Sequence, residues 1–342
     1  MIILKTEEEQ IYLKNLQLGP ANVLIKILII HEYTRFSKGS LASNFLEGAR
    51  MLKSLPTIYN LCLKNKFATI TISEVDPEKY FYLMWLPFIR VVYVLHSEPD
   101  ELASSFTRFS ANFLLGRRKK IITVSKSNRD KLIRNWKISK RAAKYVHMIY
   151  NTAGRAYNNS AQDLKAPGSQ KIVLTLAHVV HYKNPEVWLK VAQRVTALRP
   201  DVSFLWLGNG QLFDYFRTLT AENDRIKFAG FVEDPSDYLD KALVYYQPSL
   251  KESQGIGVLE AMASGLPCVV SSVGGLPESV LNGCNGFVTE PNDIEKQIMD
   301  ILKLIDDPEL HRDFGLRSAS RYEQLFSTQR FLRQMDSVYR PS

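Results

Sequence analysis

Short apolar, β-branched runs alternate with longer stretches whose apolar residues recur every three or four positions along most of the 342-residue chain. Val23–His31, Ala68–Ser73, Val91–Leu95, Ile121–Val124 and Val146–Tyr150 read as strands. Ser40–Lys53 reads as a helix with Leu41, Phe45, Ala49 and Leu52 on one face. Near-continuous apolar strands followed by helical sequence are the pattern of a buried parallel sheet covered by helices. From Thr152 to Gln170 small and polar residues dominate and no apolar period survives, as in an interdomain linker. The alternation then restarts. Strands are expected at Ile172–Leu176, Ser203–Leu207, Ile226–Phe228, Leu243–Tyr246 and Cys268–Ser271. Helices are expected at Pro185–Leu198, Gln211–Thr218, Val258–Ser264, Ile294–Ile305, Glu309–Leu325 and Thr328–Tyr339. The expected architecture is two doubly wound α/β domains in tandem, residues 1–155 and 156–325. A C-terminal helix in 326–342 would pack back on the first. Ligands of such sheets bind beyond the strand ends.

Charge divides the two halves. The chain has 44 Lys and Arg against 35 Asp and Glu, a formal net charge of +9. Residues 1–150 hold 24 basic and 12 acidic side chains and the remainder 20 and 23, so the excess lies in the first half. Arg117–Lys144 alone carries 12 basic residues against the single Asp130. A basic surface calls for an anionic partner. Three cysteines, Cys62, Cys268 and Cys284, form no CxxC pair, which suggests neither a disulfide framework nor a zinc site and fits a reducing compartment. The longest apolar stretch, Tyr80–Leu95, is broken by Pro87 and Arg90 and falls short of the ~20 residues of a spanning helix. No secretory signal pattern follows Met1. A cytoplasmic protein, dissolved or peripheral on the inner face of the membrane, is expected.

The chemistry concentrates in Gln247–Glu260, QPSLKESQGIGVLE, which runs on as AMASGLPCVVSSVGGLPESV. A strand ending at Pro248-Ser249 leads through a loop with Glu252 and Gly255 into a helix beginning near Gly257, with Glu260 in its first turn. Backbone N–H groups at such a helix start suit a diphosphate, and flanking carboxylates can accept hydrogen bonds from sugar or ribose hydroxyls. The alternative is structural: Glu260 favouring a helix N-terminus through the macrodipole, and Glu252 a solvated loop residue.

Two glutamates eight apart in ES-x-G-x-x-x-LEAMASGLPCV, followed by GGLPE (Gly274–Glu278) and NGFV (Asn285–Val288), resemble the E-x7-E signature of glycosyltransferase family 4. Ala177–Asn184 resembles that family's G-R-L-x-x-x-K-N segment, Leu207–Gly210 its G-x-G turn and Gly230–Asp234 its loop beneath the nucleobase. Tyr93–His96 resembles the strand ending in its active-site histidine, Val124-Ser125 its V-S turn and Tyr150-Asn151 its Y-N pair. The resemblance implies a GT-B fold, two Rossmann-like domains facing each other across a cleft. It also implies retaining transfer of a hexose or N-acetylhexosamine from a nucleotide sugar, UDP before GDP, to a glycan or lipid-linked acceptor of cell-surface polysaccharide, lipopolysaccharide or glycolipid synthesis. It implies no metal and no other cofactor, and the sequence has no Asp-x-Asp.

Carried over residue by residue, Glu260 would hold the ribose and Glu252 the transferred sugar. The backbone at Gly255, Ile256, Gly257 and Val258 would meet the diphosphate, which Lys183 would neutralise as it leaves. Gly208, Phe231 and Val232 would border the nucleotide, and His96 would approach the sugar from the first domain. With no side chain placed as a nucleophile, a front-face route is implied, and Glu252 is assigned positioning and electrostatic work. A nucleotide-sugar epimerase of the same fold is the alternative.

Two positions depart from the family pattern. The glycine pair after its first strand has a single counterpart in Ser37-Lys38-Gly39-Ser40, and the family's diphosphate arginine is His178. For the basic run Arg117–Lys144, one reading is a solvated helix with Leu132, Ile133 and Trp136 in the core. Another is an electrostatic dock on an anionic membrane with Trp136 or nearby apolar residues at the interface. A nucleic-acid surface is disfavoured because the run lacks interleaved aromatics beyond Trp136. A guanidinium is always charged and bidentate, whereas an imidazole is neutral at pH 7 unless an anionic partner favours its proton, which a bound diphosphate is expected to do at His178. Donor affinity measured by calorimetry is therefore expected to fall as pH rises from about 6 to 8.5; a flat profile would mean that Lys183 suffices.

Overall fold

The computed structural model describes residues 2–4, 69–74, 78, 80–99, 101–153 and 171–340, with 56, 59, 60 and 63 as isolated positions. The expected strand at Val23–His31, helix at Ser40–Lys53 and loop at Ser37–Ser40 lie outside these residues. The chain divides into two compact units, Met1–Ile149 with Met335–Ser342, and Tyr150–Gln334.

The first unit is built on a parallel sheet of β1 (Ile2–Leu4), β2 (Thr69–Glu74), β3 (Arg90–Leu95), β4 (Lys119–Thr123) and β5 (Val146–Met148), in that spatial order. Three helices follow the strands: α1 (Ser105–Leu114), α2 (Lys126–Asn135) and α3 (Lys140–Ala143). Each starts on a serine, Ser104, Ser125 and Ser139, whose hydroxyl accepts an N–H of the first turn. The core gathers Phe81 edge-on to Tyr93 (5.4 Å) and to Trp136 (4.9 Å). Trp136 is 1% exposed. It is a core residue closing α2, so the expectation of Trp136 at a membrane interface is overturned, and Leu132 is buried beside it. Tyr339, near the C-terminus, bonds the Thr71 hydroxyl (2.8 Å), and Lys120 donates to the Val338 carbonyl (2.6 Å), which fastens residues 335–339 to this sheet.

The second unit contains six parallel strands: β6 (Lys171–Leu176), β7 (Val202–Leu207), β8 (Ile226–Gly230), β9 (Ala242–Gln247), β10 (Cys268–Ser271) and β11 (Gly286–Thr289). Their spatial order is β11-β10-β9-β6-β7-β8. The intervening helices are α4 (Pro185–Leu198), α5 (Phe213–Leu219), α6 (Ser236–Lys241), α7 (Ile256–Ala263) and α8 (Leu276–Ser279); α9 (Ile294–Asp306), α10 (Pro308–Leu325) and α11 (Thr328–Tyr339) close the chain. Both sheet faces are covered. Tyr246 and Val244 point into a core with Trp188, Phe204, Trp206 and Phe228, while Tyr245 and Leu174 point into a second core with α7 and Tyr322. This period-two division of β9 is why its residues are apolar on both sides.

Six elements have no counterpart in the pattern reading: β1, β11, α1, α3, α6 and α8. Strand β11 coincides with the NGFV motif but is too short to show alternation. Helix α1 does carry an apolar period, Phe106, Phe109 and Phe113, but on its exposed face, while its buried face is Thr107, Ser110 and Ala111.

Candidate active site

The strand order of the second sheet reverses between β6 and β9, and ligands of open α/β sheets bind outside the carboxyl ends of strands at such a reversal. The loop leaving β6 carries His178 and Lys183, and the loop leaving β9 carries Glu252 and leads into α7. Leu250 N–H donates to the Tyr182 carbonyl at 2.8 Å, which ties the two loops together.

Lys183 and Glu252 form an ion pair with side chains 12% and 11% exposed. The same glutamate accepts from the Gln247 amide at 2.7 Å. Gln247 is buried; it also donates to the Ser249 hydroxyl (3.1 Å) and accepts from the Tyr245 hydroxyl (2.7 Å). Tyr245 is pushed well above the usual phenol range by burial, with Glu260 and Glu252 adding to the shift. It is a neutral hydrogen-bonding group throughout the working range. Tyr245 and Gln247 were not assigned roles from sequence. Their spacing of two on a strand, which puts both on the face toward Glu252, was the available signal.

Helix α7 begins at Ile256, one residue before Gly257, after Gly255 in the left-handed region at φ 85°. A β-carbon at 255 would sit 2.8 Å from Leu276, so glycine is required for both conformation and space. The Leu259 N–H makes the first intrahelical bond, to Gly255 O at 3.3 Å, and the N–H groups of Ile256, Gly257 and Val258 precede it. Gly257 meets the sheet directly: a β-carbon there would lie 2.4 Å from the Leu176 carbonyl and 2.5 Å from the Tyr245 hydroxyl. Glu260 is the fifth helical residue, beyond the first turn, where no acidic residue lies. The macrodipole explanation of Glu260 therefore fails, because that effect decays within one turn.

The other expected residues border the same strand ends. His178 is exposed, one residue past Ala177. Gly208, at φ 139°, packs where a β-carbon would fall 2.0 Å from the Ala177 carbonyl, and its N–H bonds Gly230 O at 2.8 Å. Phe231 is 60% exposed with its N–H on Asn209 Oδ1 (3.0 Å), whereas Val232 packs against the core. Gln254 accepts from the Asn151 N–H at 2.8 Å, and the Tyr150 hydroxyl donates to Glu278 at 2.9 Å. The Y-N and GGLPE segments are thus joined to this loop system. Among the described residues no group of His, Cys, Asp or Glu is arranged to hold a metal.

His96 belongs to the first unit. It stands at the end of β3, half-buried, with Nε2 2.8 Å from the Ser73 hydroxyl, and burial lowers its pKa to about 4. It is neutral at pH 7. The loop after it is held by α2: Asn128 donates to Ser97 O (2.8 Å), Asn135 to Pro99 O (2.6 Å), and buried Glu98 accepts from Ser127 (2.9 Å) and pairs with Lys131.

Residues 157–321 match the family model described as Glycosyl transferases group 1. The second unit carries a glycosyltransferase domain. The chain is 30% identical over 175 residues to N-acetyl-alpha-D-glucosaminyl L-malate synthase of Bacillus anthracis, covering 50% of this chain and 45% of that relative. It is 32% identical over 135 residues to UDP-Gal:alpha-D-GlcNAc-diphosphoundecaprenol alpha-1,3-galactosyltransferase of Escherichia coli, covering 38% and 35%. The matches thus span less than half the length of these relatives. Among solved structures, Anabaena HepE in complex with UDP and glucose aligns over 92% of this chain and 85% of that one, with 20% identity and a TM-score of 0.68. The fold is that of the GT-B glycosyltransferases.

In the glycosyltransferase domain, Gly257→Ala is expected to cost about 1–3 kcal/mol in denaturant unfolding. It should also weaken nucleotide binding at least about tenfold, because α7 can make room only by moving off the sheet. In the first unit, His96 is depressed to about 4 from 6.5, so the unfolded chain takes up a proton in that interval that the folded chain refuses. Stability is expected to be complete above pH 6.5 and to decline as pH falls toward 4, with His96→Gln flattening the decline and NMR showing a neutral imidazole at pH 6.

Proposed function

We propose that the protein is a retaining, metal-independent glycosyltransferase of family 4 type that moves a hexose or N-acetylhexosamine from a UDP-sugar to a lipid-linked or glycan acceptor. The observation that carries this reading is the Lys183–Glu252 pair at the β6/β9 reversal, beside the first turn of α7. The Escherichia coli relative, a galactosyltransferase named for UDP-Gal and alpha-D-GlcNAc-diphosphoundecaprenol, supports donor and acceptor class. HepE bound to UDP and glucose supports the same choice.

In this reading the donor diphosphate lies against the N–H groups at the start of α7 and draws Lys183 from Glu252. Glu252, still held by Gln247, then accepts from hydroxyls of the transferred sugar, and Glu260 accepts from the ribose. The bond between the anomeric carbon and the diphosphate oxygen breaks while the acceptor oxygen bonds that carbon from the same face. The acceptor proton passes to the departing phosphate oxygen, so UDP leaves and no protein nucleophile is consumed. The developing charge on UDP is stabilised by Lys183 and the helix start, groups already in place before reaction. Neutral His96 can share a hydrogen bond with a sugar hydroxyl without adding a fixed charge. The site of action is the cytoplasmic face of the membrane, as a peripheral protein; among the described residues no helix is long and apolar enough to cross a bilayer.

Glu252→Ala and Glu260→Ala are each expected to lower kcat/KM for transfer by about 10²-fold or more. UDP should still raise the melting temperature of Glu252→Ala, because that side chain meets the sugar and not the nucleotide. Transfer intact in both variants would overturn the assignment, and nucleotide release that ignores every acceptor would point to an epimerase or hydrolase.

A further inference from the structure

The turn after β7 carries a polar side chain that the proposed chemistry leaves unused, that of Asn209. The backbone around it is held from two sides. Gly208 N–H bonds the Gly230 carbonyl at 2.8 Å, which joins the turn after β7 to the end of β8. The Asn209 carbonyl accepts the Val179 N–H at 2.9 Å, which fastens the same turn to the loop leaving β6. The Asn209 side chain is exposed where these three strand ends meet.

Its amide has a fixed sense. Oδ1 accepts the Phe231 N–H at 3.0 Å. A main-chain N–H only donates, so the oxygen must take that position and the Nδ2 donor is turned away from the loop. Among the described residues Nδ2 makes no hydrogen bond. Close packing enforces the arrangement: Gly230 stands at φ 81°, and a β-carbon there would come 3.2 Å from both Asn209 Oδ1 and the Phe213 ring. That ring is backed in turn by the Arg217 guanidinium at 5.4 Å. Beside the amide, Phe231 is 60% exposed. An oriented N–H donor next to an exposed aromatic ring matches a flat heterocycle with an oxo group, the ring meeting its face and the donor its edge.

The strand order says where such a heterocycle would lie. Neighbouring strands stand about 4.8 Å apart, so β7 and β8 are one and two strands beyond β6 on the side away from β9. On the opposite side the loop after β10 is tied to the Glu252 loop, Gly275 N–H donating to the Glu252 carbonyl at 3.2 Å. We infer that Asn209 is a specificity-determining residue, whose Nδ2 donates to the O4 carbonyl of a uracil lying on Phe231. Cytosine carries an amino group at that ring position, so two donors would face each other and cytidine nucleotides are rejected. The inference rests on the UDP-sugar reading above and adds the atom that reads the base. A merely structural Asn209, pinning the β8 loop, would need Oδ1 alone.

That difference supplies the test. Asn209→Asp keeps an oxygen for the Phe231 N–H and replaces the donor by a second acceptor. The full chain is titrated calorimetrically with UDP, CDP and inorganic pyrophosphate. The wild type is expected to bind UDP about tenfold tighter than CDP, and Asn209→Asp to abolish or reverse that ratio. The added charge would repel all three ligands alike, so the ratio of UDP to CDP affinity, and not the loss of UDP affinity, carries the result. A second measurement needs no variant: 4-thio-UDP, whose sulfur is a weak acceptor, should bind the wild type about fivefold more weakly than UDP. A wild type indifferent to CDP or to the thio substitution would overturn the assignment, as would an unchanged ratio in a folded Asn209→Asp chain. In those outcomes UDP still binds and the donor reading stands. A wild type that binds pyrophosphate but neither nucleotide would overturn both.

Discussion

The glycosyltransferase domain depends on one close approach, that of the first turn of α7 to the ends of β6 and β9 at Gly257. Nothing larger than hydrogen fits between that backbone, the Leu176 carbonyl and the Tyr245 hydroxyl. The contact joins three elements that a strand order alone leaves independent. It fixes how far the N–H groups at the head of α7 stand from the loops leaving β6 and β9, and so where an anion can sit relative to Lys183. The buried line from Tyr245 through Gln247 to Glu252 extends the same constraint to the carboxylate. Each of these polar groups is satisfied by the next, as burial demands.

Five of the six strands of the second unit were legible as short, mostly apolar runs bounded by turn residues, although β8 exposes Lys227 and Ala229 on one face, and Pro185–Leu198 was legible because its apolar period is unbroken. The site was legible in outline for a different reason. Glu252, the glycines and Lys183 sit in short segments whose residue types are set by backbone geometry and charge. Gln247 was not legible as a functional group, since on a strand it reads as one polar residue among apolar ones, and its importance lies in what the fold brings beside it. Glu260 reads as a first-turn acid only if the helix starts one residue late, and the left-handed Gly255 is what starts it at Ile256. Helix α1 shows that an apolar period marks a helix and not the face it buries: Phe106, Phe109 and Phe113 carry the period, and Thr107, Ser110 and Ala111 carry the burial.

The charge of the first half resolves into two populations. Lys119 is buried on the Leu86 carbonyl at 2.7 Å, its pKa lowered to about 8 by burial and by Arg118. Lys120 binds Val338 O, and Lys131 pairs with buried Glu98 beneath the loop of His96. These lysines are structural, and they hold strand ends, the C-terminal residues and the candidate histidine loop in place. Among the described residues the exposed basic side chains lie in the α1–β4 turn (Arg117, Arg118), on α2 (Lys126, Arg134) and around α3 (Lys137, Lys140, Arg141, Lys144). Net charge counted along the sequence cannot separate these populations, because a lysine that satisfies a carbonyl and one that faces water are the same letter.

The Lys183–Glu252 pair has an energetic logic that ties structure to the proposed chemistry. A nearly buried ion pair contributes little net stability, since desolvation of both charges offsets most of their attraction, and an apolar pair of similar size would serve the fold as well. Its presence at the strand-order reversal is better explained by what happens when a diphosphate arrives. A lysine kept there alone would bear an uncompensated charge, and a glutamate alone would repel the donor. Paired, each holds the other in position, and in the proposed reaction the donor's diphosphate would take Lys183 over from Glu252. Gln247 makes that exchange workable, because it keeps Glu252 hydrogen-bonded by a neutral group when Lys183 turns to the phosphate. A carboxylate so retained presents its remaining lone pairs to neutral hydroxyls, the groups of a sugar that it can bind without a counter-ion.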